Sequence, residues 1–189
     1  MAARMTRLAF VVPARAFLLI VVGLAAAGCG VGANGTPASL PPIRVGPAAT
    51  VGPAVGQTRG AIAAALASVA VQFGDATRPY RPAESARLRD APRAVFQVVL
   101  PDRPDNGFIV VYEFVDAAAA VDAGNEEAGY LGTGPAKVQF AGDAQHVLRQ
   151  LGPTLIVYSW SPSGAAGSTT ESDVANALET VGVGFTVPR

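Results

Sequence analysis

From Gln57 onward, apolar side chains recur at regular intervals along the chain. Ile62, Leu66, Val69 and Phe73 are spaced 4, 3 and 4 apart, the stripe of one amphipathic helix. Thr58 is suited to cap its start and Gly74 to end it. Two stretches, 94–100 and 108–115, are rich in β-branched and aromatic residues and predict strands. Asn106-Gly107 between them predicts a turn. Phe96, Val98 and Leu100 share one face of the first strand; Phe108, Val110, Tyr112 and Phe114 share one face of the second. The opposite faces are also apolar, which puts this hairpin in the middle of its sheet.

Asp116 is placed to cap a second helix over 117–131, stopped by Gly132 and Gly134. Its apolar face is mostly small: Ala117, Ala120, Val121, Gly124 and Ala128. A second hairpin is predicted over 145–151 and 154–160, turning at Gly152-Pro153. Thr170 and Asp173 have capping-box spacing ahead of Val174, Leu178 and Val181, a third helix. Residues 185–187 predict a short last strand. The connector 75–93 is rich in charge and Pro and has room for one short helix after Pro82. VQFGDA at 71–76 is echoed by VQFAGDA at 138–144. Together these elements predict an α+β domain over 57–189. It has an antiparallel sheet of about four strands in two hairpins, with helices packed mainly on one face.

The N-terminal region has a different pattern. Arg4, Arg7 and Arg15 are the only charges before Arg44, and AFLLIVVGLAAAG fills the thirteen positions from Ala16 to Gly28. A basic start, an apolar run and small residues at its end make up a secretory signal peptide. As a helix that run spans ~20 Å, short of a ~30 Å hydrocarbon core. Leu24-Ala25-Ala26-Ala27-Gly28-Cys29 resembles the lipobox of bacterial lipoprotein precursors. The resemblance covers residues 1–29. It implies cleavage after Gly28 and a diacylglycerol on the thiol of Cys29. Family members usually carry Leu where Ala26 stands. One acyl chain anchors a protein only marginally, and the two or more that such processing supplies hold it firmly. Residues 29–56 read as a flexible tether: six Gly and five Pro occupy 30–56, with Arg44 the one charge.

Composition narrows the function classes. Fourteen basic and fourteen acidic side chains balance in the full chain of 189 residues. Residues 1–28 hold three of the basic residues and no acid, so the mature chain carries 11 against 14. Such a chain has no field to draw it to nucleic acid or to anionic lipid. One Cys excludes an internal disulfide, and one Cys with one His (His146) gives little to a transition-metal site. Gly132-Thr133-Gly134 runs into Pro135, which matches neither a phosphate loop nor a dinucleotide fingerprint, so no cofactor and no metal is expected.

The candidate chemistry is sparse. A Ser–His–Asp arrangement would have to use His146, with Asp143 three residues earlier and Ser161 or Ser163 nearby. Asp102 with Asp105, Glu126 with Glu127, and Glu171 with Asp173 are neighbours in sequence, better suited to turns, a solvated helix face and a cap than to a catalytic pair. Five Arg in sixteen residues (Arg78, Arg81, Arg87, Arg89 and Arg93) form a candidate anion site, set against the plainer reading of a solvated connector. Tyr158 and Trp160 alternate on one strand face and form a candidate ligand groove.

The reading is an exported lipoprotein, attached to a membrane by its lipid outside the cytoplasm, with a non-catalytic binding or scaffolding domain. Its partner is an envelope protein or a small ligand, not nucleic acid. The alternatives are an envelope hydrolase using carboxylates or Ser161, and an accessory subunit of a membrane complex.

Overall fold

The computed structural model describes residues 51–101, 103–162 and 169–188. The expected signal segment 1–28, Cys29 and the expected tether as far as residue 50 lie outside the described residues. Eleven elements follow in chain order: α1 (Pro53–Leu66), β1 (Gln72–Asp75), α2 (Ala86–Asp90), β2 (Arg93–Val99), β3 (Phe108–Glu113), α3 (Ala117–Gly132), α4 (Gly134–Lys137), β4 (Gln145–Leu151), β5 (Thr154–Trp160), α5 (Thr169–Glu179) and β6 (Val183–Gly184). The strands form one sheet in the order β1-β2-β3-β5-β4-β6, with every neighbouring pair antiparallel.

The α+β class and the two hairpins agree with the sequence pattern. The expected four strands are six. β1 arises within the stretch expected to complete the first helix. The chain leaves α1 after Leu66 and reverses through Ala70, whose φ of 54° is left-handed. Phe73 then pairs with Val98 of β2 and packs its ring 5.5 Å from that of Phe96. The helix stripe therefore runs one turn earlier than expected, through Val55, Thr58, Ile62 and Leu66. Residues 53–56 of the expected tether form the start of α1, with Pro53 at its first turn, where a missing N–H costs nothing. Thr58 is inside the helix, not at its cap, and its hydroxyl meets that of Thr154 on β5 at 2.7 Å. The Gly52 N–H donates to the Glu113 carboxylate and so ties the helix start to β3. β6 falls two residues ahead of the predicted 185–187 strand.

Helices cover both faces of the sheet, not mainly one. On one face α1 and α5 pack against Phe96, Val98, Ile109, Val111, Ile156 and Tyr158. On the other, α2, α3 and α4 pack against Val110, Tyr112, Leu148, Leu155 and Val157. The alternation of β3 and β5 explains this: both faces of each strand are apolar, and each needs a cover. α3 has the cap predicted for it, the Asp116 carboxylate accepting the Ala119 N–H at 2.8 Å. Its buried face is rotated from the expected one. Ala120, Ala123, Gly124, Glu127, Ala128 and Leu131 point inward, while Ala117 and Val121 are exposed. A side chain at Gly124 would collide with the ring of Phe185, so the missing Cβ makes room for the C-terminal segment. α5 begins at Thr169, which places Thr170 inside it. The two VQF segments differ in form: 71–76 contains β1, whereas 138–144 is turn and loop. No helix among the described residues is long and apolar enough to cross a membrane.

Candidate functional site

The hydrogen bonding of β3 to β5 ends at the pair Ile109–Tyr158. β5 runs on through Ser159 and Trp160, paired there to β4 alone. This end of the sheet opens into a cleft of about 250 Å³. Strand alternation puts Tyr158 and Trp160 on the same face, with ring centroids 5.4 Å apart and planes 17° from parallel. Tyr80 and Phe108 form a second stack in the lining, from the other face of the sheet, at 4.2 Å and 9°. The Arg78 guanidinium lies 5.2 Å over the Phe108 ring. Phe140 contributes a fifth ring.

Two polar groups in this wall are unusual. Tyr158 is only 1% exposed, and its hydroxyl has no hydrogen-bond partner among the described residues. The indole N–H of Trp160 is likewise buried and unpartnered. Burial, reinforced by the nearby Glu171 charge, raises the Tyr158 phenol well above its ordinary value, so it keeps its proton. Glu171 is buried and forms an ion pair with Arg103, both residues lining the cleft. Glu171 and Asp173, expected at the cap of this helix, both lie inside α5: its first turn faces the core, and Arg103 compensates the buried Glu171 charge.

A larger, more polar depression of about 440 Å³ lies on the other side of Phe140 and Trp160. His146 is in its wall, half-buried on β4 as expected of a strand residue. Its Nδ1 lies 2.8 Å from Ser159 Oγ, its cross-strand partner, and its ring meets Phe140 edge-on at 4.8 Å. Burial lowers its pKa and favours the neutral ring. Asp143 instead accepts from the Ser161 hydroxyl at 2.6 Å. The acid and the imidazole thus engage different serines, which is not the relay of a hydrolytic triad. Ser163 and Asp102 lie outside the described residues.

The arginine cluster gathers around acids of its own chain. Arg81 and Arg93 reach Glu84 at 2.6 and 3.2 Å, and Arg87 reaches Glu126 at 3.1 Å. Arg78 approaches Asp105 at 3.8 Å. Arg89 forms no ion pair among the described residues, and its carbonyl accepts from Arg81. Glu84 is buried and also accepts the Tyr112 hydroxyl at 2.7 Å. Beside it Glu127, expected on a solvated face, is fully buried. One of its oxygens accepts the Ser85 N–H at 2.8 Å, and the other is unpartnered among the described residues. Desolvation, with Glu84 and Glu126 adding like charge, pushes the Glu127 carboxyl upward despite the bond from the Ser85 N–H. Helical periodicity hid this residue, because the expected face of α3 was read from its small side chains.

The sequence singled out Tyr158 and Trp160, and the structure sets them side by side in a cleft wall. Tyr80, Phe108, Phe140 and Arg103 were missed as cleft residues. They come from a connector, a strand start and two loops, which only the tertiary fold brings together. No protein-family model, no curated protein and no solved structure matches this chain.

Proposed function

We propose that the chain is an exported binding protein, held by lipid on Cys29 at the outer side of a bacterial membrane, whose folded part takes a small ring-bearing ligand in the Trp160 cleft. One observation carries the binding reading: Tyr158, buried to 1% exposure in the wall of an aromatic cleft, has an unanswered hydroxyl. A buried donor without a partner costs about 1–3 kcal/mol. A molecule bound in the cleft that Tyr158 lines can offset that cost, and such apolar concavities with a few polar groups are the usual ligand sites. The anchor rests on the Leu24–Cys29 pattern. A hydrolase has less support, because His146 and Asp143 are committed to different serines. An accessory subunit would favour a continuous apolar patch; the large exposed apolar residues among the described ones are Val99, Val115, Val121, Val138 and Val183.

Two measurements test the two halves. Cells fed labelled palmitate should label the wild-type chain and not Cys29→Ala; equal labelling of both removes the anchor. N-phenyl-1-naphthylamine, a neutral fluorescent ring compound, should bind the chain in proteoliposomes saturably above its uptake by empty vesicles. It should lose that binding in Ala144→Phe, which adds bulk at a lining residue common to the two depressions. Uptake no greater than that of lipid removes the binding reading.

A further inference from the structure

The donors and acceptors of the cleft specify more than an apolar occupant. The indole N–H of Trp160 can only donate. The Tyr158 hydroxyl has its proton held in place by burial and by the neighbouring Glu171, so it too is presented as a donor. Neither has a partner among the described residues. The carboxylates nearby are already engaged: Glu171 by Arg103 and Asp143 by Ser161. The cleft wall therefore has a surplus of hydrogen-bond donors. Its charges cancel, since the half-buried Arg103 is paired with the buried Glu171, and opening the pair would leave a buried charge uncompensated. An ion thus gains little from entering. The volume of about 250 Å³ is just under the ~300–1,000 Å³ of sites for drug-sized ligands, which suits one or two fused rings. The stacks on either side provide flat apolar walls for such a body.

Building on the reading of this cleft as the ligand site, we infer that its ligand is an uncharged, flat ring compound bearing a carbonyl-type oxygen, which accepts from the Tyr158 hydroxyl and the Trp160 indole N–H. The ring lies among Tyr80, Phe108 and Phe140, and the oxygen points to β5.

Equilibrium dialysis of the full chain in proteoliposomes, with empty vesicles as reference, separates the two claims. 1-Indanone, a fused ring ketone, should bind about tenfold more tightly than indane, the same ring without the oxygen. In Tyr158→Phe, which removes only an unpartnered hydroxyl and should fold normally, that gap should shrink to below about threefold. Equal binding of the two compounds to wild type, a gap that survives in Tyr158→Phe, or uptake of N-phenyl-1-naphthylamine without uptake of indanone would each overturn the acceptor inference and leave the cleft as a binding site. If neither indanone nor N-phenyl-1-naphthylamine binds above the lipid background, the acceptor inference and the cleft reading fall together.

Discussion

Two buried tyrosines on neighbouring central strands show how one atom decides the sign of a substitution. The Tyr112 hydroxyl donates to Glu84, itself buried, at 2.7 Å. The Tyr158 hydroxyl donates to nothing described. Removing the first leaves a buried carboxylate short of a donor, so Tyr112→Phe should lower unfolding free energy by about 1–3 kcal/mol. Removing the second takes away an unmet polar group, so Tyr158→Phe should raise it by about 1 kcal/mol. Urea unfolding of both variants checks the pair, and the same sign for both would contradict the assignment. Gly182 is a third position ruled by local geometry. Its φ of 59° is left-handed, and an added Cβ would strike the Gln150 carbonyl. Gly182→Ala should therefore cost roughly 2 kcal/mol or more, since the strain of the turn and a backbone collision act together. A midpoint within error of wild type would show that the turn yields.

At the scale of elements, the docking of α2 against α3 runs through two neighbouring carboxyl groups. The N-terminal turn of α2 gives its Ser85 N–H to Glu127 on α3, and Arg87 reaches Glu126 on the same helix. Burial raises the Glu127 carboxyl above its ordinary range in the folded state. At acid pH both folded and unfolded forms hold this proton, and the group costs nothing. As pH rises through the ordinary carboxylate range, the unfolded chain releases the proton first, and stability falls until the folded form releases it too. The difference in unfolding free energy between wild type and Glu127→Gln should therefore move against wild type as pH rises over that window, then level off. A difference independent of pH would mean that Glu127 is solvated. The elements themselves were largely legible in the sequence. The second hairpin matches residue for residue, because Gly152-Pro153 separates two clean runs of strand residues and Gly152 takes the positive φ that its turn needs. The Asp116 cap was legible for a similar local reason. β1 was not. Val69 and Phe73 continue a helical spacing perfectly well, and only the pairing of Gln72–Asp75 with β2 removes them from the helix. Both-sided helix cover was missed: the apolar opposite faces of the first hairpin point to a central place in the sheet, and the helices were expected mainly on one face.

For the molecule as a whole, the candidate site was half legible. Tyr158 and Trp160 stand out by alternation on one strand. Their partners do not, because a stack such as Tyr80 on Phe108 joins residues far apart in sequence. The arginine-rich connector shows the reverse: it is conspicuous in sequence, yet it folds back on Glu84, Glu126 and Asp105. What sets the cleft apart is a surplus of donors at the open end of a sheet. The chain contains one Trp, so a ¹⁵N-labelled sample in lipid nanodiscs gives a single indole N–H resonance. Titrated with 1-indanone, that resonance should move downfield and saturate as the indole gains an acceptor, and it should stay in place in Ala144→Phe. A resonance that does not shift in wild type at indanone concentrations far above those used in dialysis would contradict the account.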